Sequence, residues 1–345
     1  MKLDIEKGAI EKLSRLVQEA GKVVCIMHKN PDGDAVGASL AMSRVMLNIN
    51  KSCKVISPNA YPAFLHWMPG NEDVVVYDKK ATEARKVLKE ADVVFFLDFN
   101  MANRIGKVEE ALEEIQGETV MIDHHPEPDA FAGLTFSDTS VSSTCEYVFA
   151  ILDAIGLGKH LDKEAAACLY TGIMTDTGSF SYNSSRPYTY HVVSQLLERG
   201  IDKDKIYGSV YDNYSENRMR LLGHMLLDRM EVLEAYNTAF IYLTRKDLKK
   251  FRHVPGDTEG FVNYPLAIKG VRFTAIFIEK ESEGGVKISF RSKGSFPANE
   301  FSSAHFNGGG HRNAAGGHFQ GTLEQALAKF RQELPKYSDL LNKTK

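Results

Sequence analysis

Short apolar runs alternate with longer amphipathic stretches along the first half of the chain. The apolar runs are 22–27, 53–56, 74–77, 93–97 and 120–122, and the amphipathic stretches between them include 35–49 and 81–89. Repeated strand–helix units of this kind form a mostly parallel sheet covered by helices on both faces. Two further segments, 143–155 and 163–175, have apolar residues at intervals of three and four and are predicted to be helices.

The second half of the chain has a different pattern. From Pro187 to about Asp228 it is helical and charged and carries no strand signal, so we predict a helical connector. Strand-like runs then return at 230–233, 239–243, 273–278 and 286–290. We therefore predict an α/β protein with a first domain over 1–186, a helical connector over 187–228 and a smaller α/β domain over 229–345.

Length and composition agree with two domains and limit the choice of partners. The chain has 345 residues, of which 43% are hydrophobic, and this is enough for two cores. Its formal net charge of -3 gives no general attraction to long duplex nucleic acid, so small anionic substrates fit better. Four cysteines without CxxC spacing argue against a disulfide framework. No apolar stretch approaches the ~20 residues that span a bilayer, and we expect a cytoplasmic protein.

Metal-capable side chains follow three of the predicted strands. His28 follows the first strand, Asp98 follows the fourth, and Asp123, His124 and His125 follow the fifth. Loops at the carboxyl ends of parallel strands converge on one edge of an open sheet, where ligands bind. These side chains are therefore expected to share one small volume.

Three more carboxylates belong to the same set. Pro31 and Gly33 force a turn that presents Asp32 and Asp34 beside the preceding histidine, and Asp176 ends a predicted helix. Each acidic residue taken alone has a simpler explanation as a turn residue, a helix cap or a loop carboxylate satisfied by backbone amides. An independent coincidence of all the clusters is much harder to explain, so we interpret the set as a metal site.

The donor set indicates the kind of metal and the reaction. Carboxylates and imidazoles without thiolates suit Mn2+ or Mg2+, or else Fe2+ or Co2+, better than a structural zinc held by cysteines. Two such ions roughly 3.5 to 4 Å apart hold a hydroxide between them, clamp a phosphoryl group and stabilise the leaving oxygen. The sequence therefore predicts a phosphoesterase with two metal ions, in which hydroxide attacks phosphorus.

A second chemical signal lies in the smaller domain. Gly308, Gly309 and Gly310 precede His311, and glycines let backbone amides approach an anion closely. Arg291 ends a predicted strand and carries a guanidinium suited to bidentate phosphate binding. A flexible loop and a surface ion pair are the simpler explanations of these two features. We expect the second domain to bind the substrate, with the active site in the cleft between the domains.

The tripeptide Asp123–His125, together with the other metal-capable clusters, resembles the DHH phosphoesterase superfamily. The Gly308–His311 run resembles the mark of its DHHA1-type carboxyl domain. The resemblance spans roughly residues 22–317, and among the branches of the superfamily the chain is most similar to bacterial nanoRNase and pAp phosphatases. It implies a hydrolase that releases mononucleotides from very short oligoribonucleotides and converts pAp to AMP.

The resemblance also implies two Mn2+ ions bound by residues of the first domain. The ligands are carboxylates and imidazoles: His28, Asp32 and Asp98 for one ion, and Asp34, Asp98, His124 and Asp176 for the other. In this arrangement Asp98 bridges the two ions.

The remaining roles are implied in the same way. Asp123 would orient a ligating histidine, and His125 would lie against the reacting phosphoryl group and assist the leaving oxygen. Substrate phosphate or nucleotide would be bound by Arg291, Gly308, Gly309, Gly310 and His311. Asn307 stands where a further glycine is expected in many relatives. Residues 142–144 and Glu146 also resemble a family segment, although helix capping explains them equally well.

Several functions remain open at this point. Hydrolysis of cyclic dinucleotides or of pApA is a close alternative, because the same site accepts any small phosphodiester. Inorganic pyrophosphatase or exopolyphosphatase activity is disfavoured, since a nucleotide-binding domain is superfluous for a substrate without a base. A non-catalytic nucleotide-binding protein is disfavoured because every expected ligand is present. The predicted partners are short oligoribonucleotides, pAp or dinucleotides, and the sequence leaves open whether the chain forms a homodimer.

Overall fold

The computed structural model of the chain describes residues 3–280 and 285–343. The chain divides into two compact units, Met1–Asn213 and Tyr214–Lys345, and each is described by itself. The division falls inside the segment 187–228, which forms three helices. The first two of these helices pack in the first unit and the third packs in the second unit.

The first unit alternates helices and strands along the chain, as the sequence pattern predicts. In chain order its elements are α1 (Lys7–Glu19), β1 (Lys22–Met27), α2 (Gly33–Asn48), β2 (Ser52–Ser57), β3 (Val75–Val76), α3 (Tyr77–Lys89), β4 (Val93–Leu97), β5 (Glu118–Asp123), β6 (Leu134–Ser137), α4 (Thr144–Ala154), α5 (Lys163–Asp176), α6 (Pro187–Glu198) and α7 (Lys203–Tyr211). Segments of 3-10 helix lie at Ala63–Leu65, Asn71–Asp73, Ala102–Glu114 and Gly158–His160.

Strands β1 to β6 form a parallel sheet in the order β3-β2-β1-β4-β5-β6. Val23 and Cys25 of β1 pack on one face, in a core shared with α2, α4 and α5, whereas Val24 and Ile26 pack on the other face, in a core shared with α3. Burial on both faces explains why these strands are continuous apolar runs in the sequence. The predicted parallel sheet with helices on both faces is confirmed.

The second unit is a smaller α/β unit. In chain order its elements are α8 (Glu216–Asp228), β7 (Met230–Leu233), β8 (Thr238–Leu243), α9 (Arg245–Lys250), β9 (Phe273–Glu279), β10 (Val286–Ser292), α10 (Ala298–Phe306), β11 (Gly309–His311), β12 (Ala314–Phe319), α11 (Leu323–Glu333) and α12 (Ser338–Asn342). Segments of 3-10 helix lie at Glu234–Tyr236, Phe261–Ala267 and Leu334–Tyr337.

The sheet of the second unit has the strand order β11-β12-β10-β9-β8-β7. Strands β8 and β9 are parallel, and the other neighbours are antiparallel. One face packs against α10 and α11 through phenylalanine rings, with the Phe273 ring centroid 4.5 Å from that of Phe296 and 5.1 Å from that of Phe301. The other face packs against α8 and α9. Both faces of the central strands β8 and β9 are therefore largely buried.

Two further expectations concern the whole chain. None of the helices in the described part of the chain combines the length and apolarity needed to cross a membrane. The four cysteines are buried free thiols, and the Cys25 and Cys53 sulfur atoms are 4.0 Å apart.

Candidate active site

The carboxyl ends of β1, β4 and β5 meet where the strand order of the first sheet reverses. His28 follows β1, Asp98 follows β4, and β5 ends in Asp123. Strands β1 and β4 are neighbours in the sheet, and so are β4 and β5. Open parallel sheets bind ligands at such a reversal, because the loops leave the adjacent strands on opposite sides and open a crevice. The fold thus brings the metal-capable side chains to a position suited to a ligand.

The turn after β1 places two carboxylates at the start of α2. Asp32 is the N-cap of this helix and accepts hydrogen bonds from the backbone amides of Asp34 (3.0 Å) and Ala35 (3.1 Å). Asp34 lies in the first turn and is fully buried. The helix-capping explanation of Asp32 is therefore correct, and its capping oxygen, Oδ1, is also the one that faces His28.

His28, Asp32 and Asp98 form the first donor cluster. His28 Nε2 lies 3.5 Å from Asp98 Oδ2 and 3.9 Å from Asp32 Oδ1. The other ring nitrogen of His28 is 2.9 Å from the backbone oxygen of Lys29, and a proton on that nitrogen leaves the lone pair on Nε2. Donor atoms that each sit about 2 Å from one ion are about 3–4 Å apart, so the spacing fits a divalent cation.

Asp34, His124 and Asp176 form the second donor cluster. His124 Nε2 lies 3.8 Å from Asp34 Oδ2 and 3.6 Å from Asp176 Oδ2. It also lies 3.6 Å from Asp98 Oδ1, whereas Asp98 Oδ2 faces His28. The Asp98 carboxylate therefore stands between the two clusters with one oxygen toward each.

The amino end of α4 supports both central carboxylates. The backbone amides of Thr144 and Cys145 donate to Asp34 at 2.6 and 2.9 Å, and the Thr144 hydroxyl donates to Asp98 Oδ1 at 2.8 Å. From the sequence this segment is only a family segment or a helix cap, and the role of Thr144 is missed. The available signal was the helix start itself, because free amides at a helix amino terminus attract anions.

Asp123 is buried and holds His125 in place. Its carboxylate accepts a hydrogen bond from the His125 backbone amide at 2.9 Å and lies 2.7 Å from His125 Nδ1. Although burial opposes ionisation, the hydrogen bond from His125 keeps the pKa of Asp123 below its usual range. The resemblance implied that Asp123 orients a ligating histidine. In the structure its partner is His125, the histidine expected beside the phosphoryl group.

Burial and mutual repulsion disturb the ionisation of the clustered groups. Burial, reinforced by the neighbouring Asp34 carboxylate, raises the pKa of Asp98 well above its usual range. Burial and the Asp176 carboxylate raise the pKa of Asp34 to about 6. Burial lowers the pKa of His28, so the ring is neutral and able to offer a lone pair. Carboxylates packed this closely need a cation to remain ionised, and the donor set therefore fits divalent metal ions.

Two local features bring the carboxylates this close together. Gly172 of α5 lies against the amino ends of α2 and α4, where a Cβ would be 2.2 Å from Cys145 Sγ and 2.8 Å from Asp34 Oδ1. Any side chain at Gly172 would therefore displace Asp34. Asp98 has a φ of 68°, a left-handed conformation that costs a residue other than glycine roughly 1–2 kcal/mol. Backbone strain of this kind is concentrated at functional positions.

The substrate-binding residues predicted in the second unit lie at one level of its sheet. Arg291 of β10 pairs with Ala314 of β12, which in turn pairs with His311 of β11. Neighbouring strands are ~4.8 Å apart, so the backbones of Arg291 and His311 are separated by about 10 Å. The sheet therefore presents a guanidinium and an imidazole at one level, two strands apart.

The glycine run forms an edge strand rather than the open loop that its composition suggests. Gly309 and Gly310 pair with β12, and Gly308 is packed so closely that a Cβ would lie 1.9 Å from the Gly316 oxygen. Asn307, which follows α10, has a φ of 47° in the left-handed region. Asparagine and glycine are the residues that adopt this conformation most readily after a helix. This explains how Asn307 can replace a glycine without changing the turn.

The sequence patterns of two known domains match the chain. The pattern of the DHH family, N-terminal domain, matches residues 22–173, and that of the DHHA1 domain matches residues 239–337. The chain belongs to the DHH family. The resemblance seen in its motifs is thus confirmed, and as a DHH-family protein it is a hydrolase of phosphoester bonds.

Two relatives of this DHH-family chain have nearly the same name. The "Probable bifunctional oligoribonuclease and PAP phosphatase NrnA" of Streptococcus mutans is 29% identical over 297 residues, which are 85% of this chain and 88% of the relative. The "Bifunctional oligoribonuclease and PAP phosphatase NrnA" of Thermus thermophilus is 27% identical over 332 residues, which are 93% of this chain and 94% of the relative. The similarity therefore extends over both domains.

A crystal structure of an exopolyphosphatase-related protein from Bacteroides fragilis is also similar. It is 44% identical, with a TM-score of 0.95, and the match covers 99% of this chain and 100% of the other. The match to this known structure therefore covers both of the units described above.

Proposed function

We propose that the chain hydrolyses very short oligoribonucleotides to mononucleotides and converts pAp to AMP, with two Mn2+ ions as cofactors. The observation that carries the proposal is the Asp98 carboxylate, which directs one oxygen toward each donor cluster. A carboxylate shared in this way suits two adjacent ions acting on one phosphoryl group. The names of the relatives from Streptococcus mutans and Thermus thermophilus support the substrate class.

The ligands follow from the two clusters. One ion would be held by His28, Asp32 and Asp98, and the other by Asp34, Asp98, His124 and Asp176. When bound, the ions would supply positive charge against the phosphoryl oxygens and lower the pKa of the attacking water. Thr144 holds the Asp98 carboxylate by a hydrogen bond and so keeps its two oxygens directed at the two clusters.

His125 is the proposed proton donor to the leaving oxygen. The Asp123 carboxylate lies 2.7 Å from His125 Nδ1, and a hydrogen bond at that nitrogen orients the ring and leaves Nε2 to deliver a proton. A leaving ribose oxygen is strongly basic and needs a proton as the bond to phosphorus breaks. Asp123 would therefore be the positioning residue and His125 the acid.

Substrate binding is assigned to the second unit. Arg291 offers a guanidinium and His311 an imidazole at one level of the sheet, and together they suit a terminal phosphate or a nucleotide. Arg291→Ala should raise the KM for pAp by about 10-fold or more and leave the bound metal unchanged. A large loss of bound Mn2+ in that variant would contradict this division of roles between the units.

Activity assays on one purified sample test the proposal. Turnover of pAp, of di- to pentaribonucleotides, of cyclic di-AMP and of pyrophosphate is measured with Mn2+, Mg2+, Co2+ or Fe2+, and again with a chelator. We expect mononucleotides from the oligoribonucleotides and phosphate from pAp, with the highest rates in Mn2+ and none in chelator. Preferential hydrolysis of cyclic di-AMP would replace the proposal by a cyclic-dinucleotide phosphodiesterase.

Exopolyphosphatase activity is the second candidate. It is favoured by one observation, the description of the Bacteroides fragilis structure as exopolyphosphatase-related. A chain of inorganic phosphates would need the same metal ligands but no group that recognises a base. Release of phosphate from polyphosphate at a kcat/KM above that for pAp would favour this candidate.

A further inference from the structure

A pocket of about 390 Å3 opens in the second unit beside the strand ends where β9 begins and β10 ends. Three cationic side chains line it, from Lys269, Arg272 and Lys293, and among the described residues that line it there is no carboxylate. A concave surface with cations and no acidic group attracts anions. Nothing in the proposed chemistry of the first unit uses this pocket.

Backbone oxygens accept hydrogen bonds from two of the cationic side chains of the pocket. The Lys293 amide donates to the Arg272 backbone oxygen at 2.8 Å, so the backbones of these two residues are neighbours just beyond the ends of β10 and β9. Lys293 Nζ donates to the Leu266 oxygen, and Arg272 donates to the Lys343 oxygen at 2.7 Å. Carbonyl groups fix these side chains without neutralising them.

The pocket continues the strand that carries Arg291. Lys293 lies two residues beyond Arg291 and directly after the end of β10, so the Cα atoms of the two residues are at most about 7 Å apart. Guanidinium and ammonium groups carried by residues this near each other suit the successive phosphates of a single strand, as in other single-strand binding grooves. Inorganic anions and nucleotides carry the same phosphate chemistry, so the source of the phosphate has to be tested.

We infer that the pocket formed by Lys269, Arg272 and Lys293 binds a second phosphate of the oligonucleotide chain, beyond the one at Arg291. The inference rests on the proposed function, in which Arg291 binds a substrate phosphate. It has a specific consequence for selectivity. Oligoribonucleotides long enough to reach the pocket gain affinity from it, whereas pAp has no further internucleotide phosphate and gains nothing.

The test compares two substrates in matched variants. Lys269→Gln/Arg272→Gln removes two charges from the pocket, and Lys249→Gln removes a charge from the exposed face of α9 in the same unit. For a pentaribonucleotide we expect the double variant to raise KM by about 10-fold with kcat unchanged. The slope of log KM against log salt should fall by about 0.7, because the protein then neutralises one phosphate fewer. For pAp, and in Lys249→Gln, both constants stay within about twofold of wild type.

Three controls separate the possible causes. Lys269→Arg/Arg272→Lys keeps the charges and should restore the low KM, which distinguishes binding from misfolding. A pentaribonucleotide with uncharged methylphosphonate linkages remote from the scissile bond should not distinguish the variants. Inorganic phosphate is the third probe: if it raises the unfolding temperature of the wild type but not of the double variant, while the pentaribonucleotide shows no difference, a free anion occupies the pocket and the inference is overturned.

A binding measurement tests the pocket independently of catalytic activity. Equilibrium dialysis of a phosphorothioate pentaribonucleotide, which is cleaved slowly, is carried out on the same full-length proteins with metal present. If the wild type turns over no nucleotide, the proposed function fails, and the dialysis still measures the pocket. Equal affinity in Lys269→Gln/Arg272→Gln and Lys249→Gln would overturn the inference whatever the turnover.

Discussion

Asp98 makes several contacts at the centre of the candidate active site. It is buried, it follows the central strand β4, it accepts a hydrogen bond from Thr144, and its two oxygens face different donor clusters. Replacing Asp98 with asparagine keeps the size and shape of the side chain and removes its charge. The variant therefore isolates the charge from the packing.

We predict that Asp98→Asn lowers kcat by at least about 100-fold, because both metal ions lose a charged ligand at once. Bound metal should fall from about two ions per chain to fewer than one, measured by plasma mass spectrometry after gel filtration. Asp129→Asn, which changes an exposed carboxylate of the same unit, is the control and should retain both activity and metal. Full metal content in Asp98→Asn would contradict the bridging position.

Asp123 and His125 should behave as one functional unit. We predict that His125→Asn lowers kcat about 100-fold and that Asp123→Asn has an effect of similar size, because the ring loses its acid form or its orientation. The double variant should be no worse than the single variants, since removing one partner already removes the function of the other. Kinetics with pAp measure this, and bound metal should stay near the wild-type value. Additive losses would show that the two residues act separately.

For individual residues, the sequence predicted the candidate metal ligands better than the groups that hydrogen-bond to them. Strand ends and turn residues placed His28 and Asp98 at one edge of the sheet, because the apolar runs before them are unambiguous. Thr144 was missed because its contact with Asp98 spans 46 positions and depends on where α4 packs. The partner of Asp123 was also beyond reach, since a carboxylate beside two histidines can bond either one.

Among the elements, those with strong periodicity were predictable and the short polar ones were not. Strands β1, β4 and β5 agree with the predicted runs, and α6 begins at the predicted Pro187. Strand β6 was not predicted, because Leu134–Ser137 is short and only partly apolar. Strands β11 and β12 consist largely of glycine, alanine and histidine, and tertiary pairing with β10 overrides their weak strand preference.

One carboxylate ties together the start of α9 in the second unit. Asp247 accepts hydrogen bonds from Thr244 at 2.8 Å and from Arg229 at 2.9 and 3.0 Å, and it lies 2.9 Å from His224 Nε2. Although burial opposes ionisation, these donors, Arg229 foremost, hold the pKa of Asp247 well below its usual range. The stabilisation is therefore present at pH values above the unfolded pKa of about 3.9 and is lost as the pH falls toward the folded value.

We predict that Asp247→Asn lowers the free energy of unfolding by about 3 kcal/mol at pH 7, because Arg229 is left without its partner. The difference from wild type should shrink as the pH falls below about 4, where Asp247 gains a proton in the unfolded wild-type chain while it is still ionised in the folded one. Urea titrations between pH 3 and pH 7 measure this. Asp228→Asn is the control, since Asp228 is half exposed and its carboxylate lies 2.6 Å from the other nitrogen of the same histidine, and it should cost less than about 1 kcal/mol. A pH-independent difference would contradict the assigned cause.

In the proposed function, the first unit holds the metal ions and the second unit binds the substrate. The division at Asn213 and Tyr214 lies inside the segment predicted as a connector, whose helices pack into the units on either side. The boundaries 1–186, 187–228 and 229–345 remain a prediction. Periodicity alone identifies the helices, but it does not reveal which core each one joins, because that depends on contacts between distant segments.

Metal removal should therefore affect one unit only. We predict that chelation speeds amide hydrogen exchange by about tenfold or more at the ends of β4 and β5 and at the start of α4, where repelling carboxylates are released. Peptides from β9 and β10 should exchange at unchanged rates and serve as the internal control. Mass spectrometry of peptic fragments measures both. Equal acceleration in the two units would place the metal effect outside the two donor clusters.

The left-handed backbone conformation of Asp98 and the carboxylates crowded around it lower the thermal stability of the protein, while the same side chain is needed for activity. Asparagine tolerates that conformation and carries no charge, so the inactive Asp98→Asn chain, stripped of metal, should unfold at a higher temperature than the stripped wild type. Thermal stability would then favour asparagine at position 98, whereas activity requires aspartate. If random variants of the protein are selected only for thermal stability, substitutions of Asp98 that abolish activity should therefore appear early.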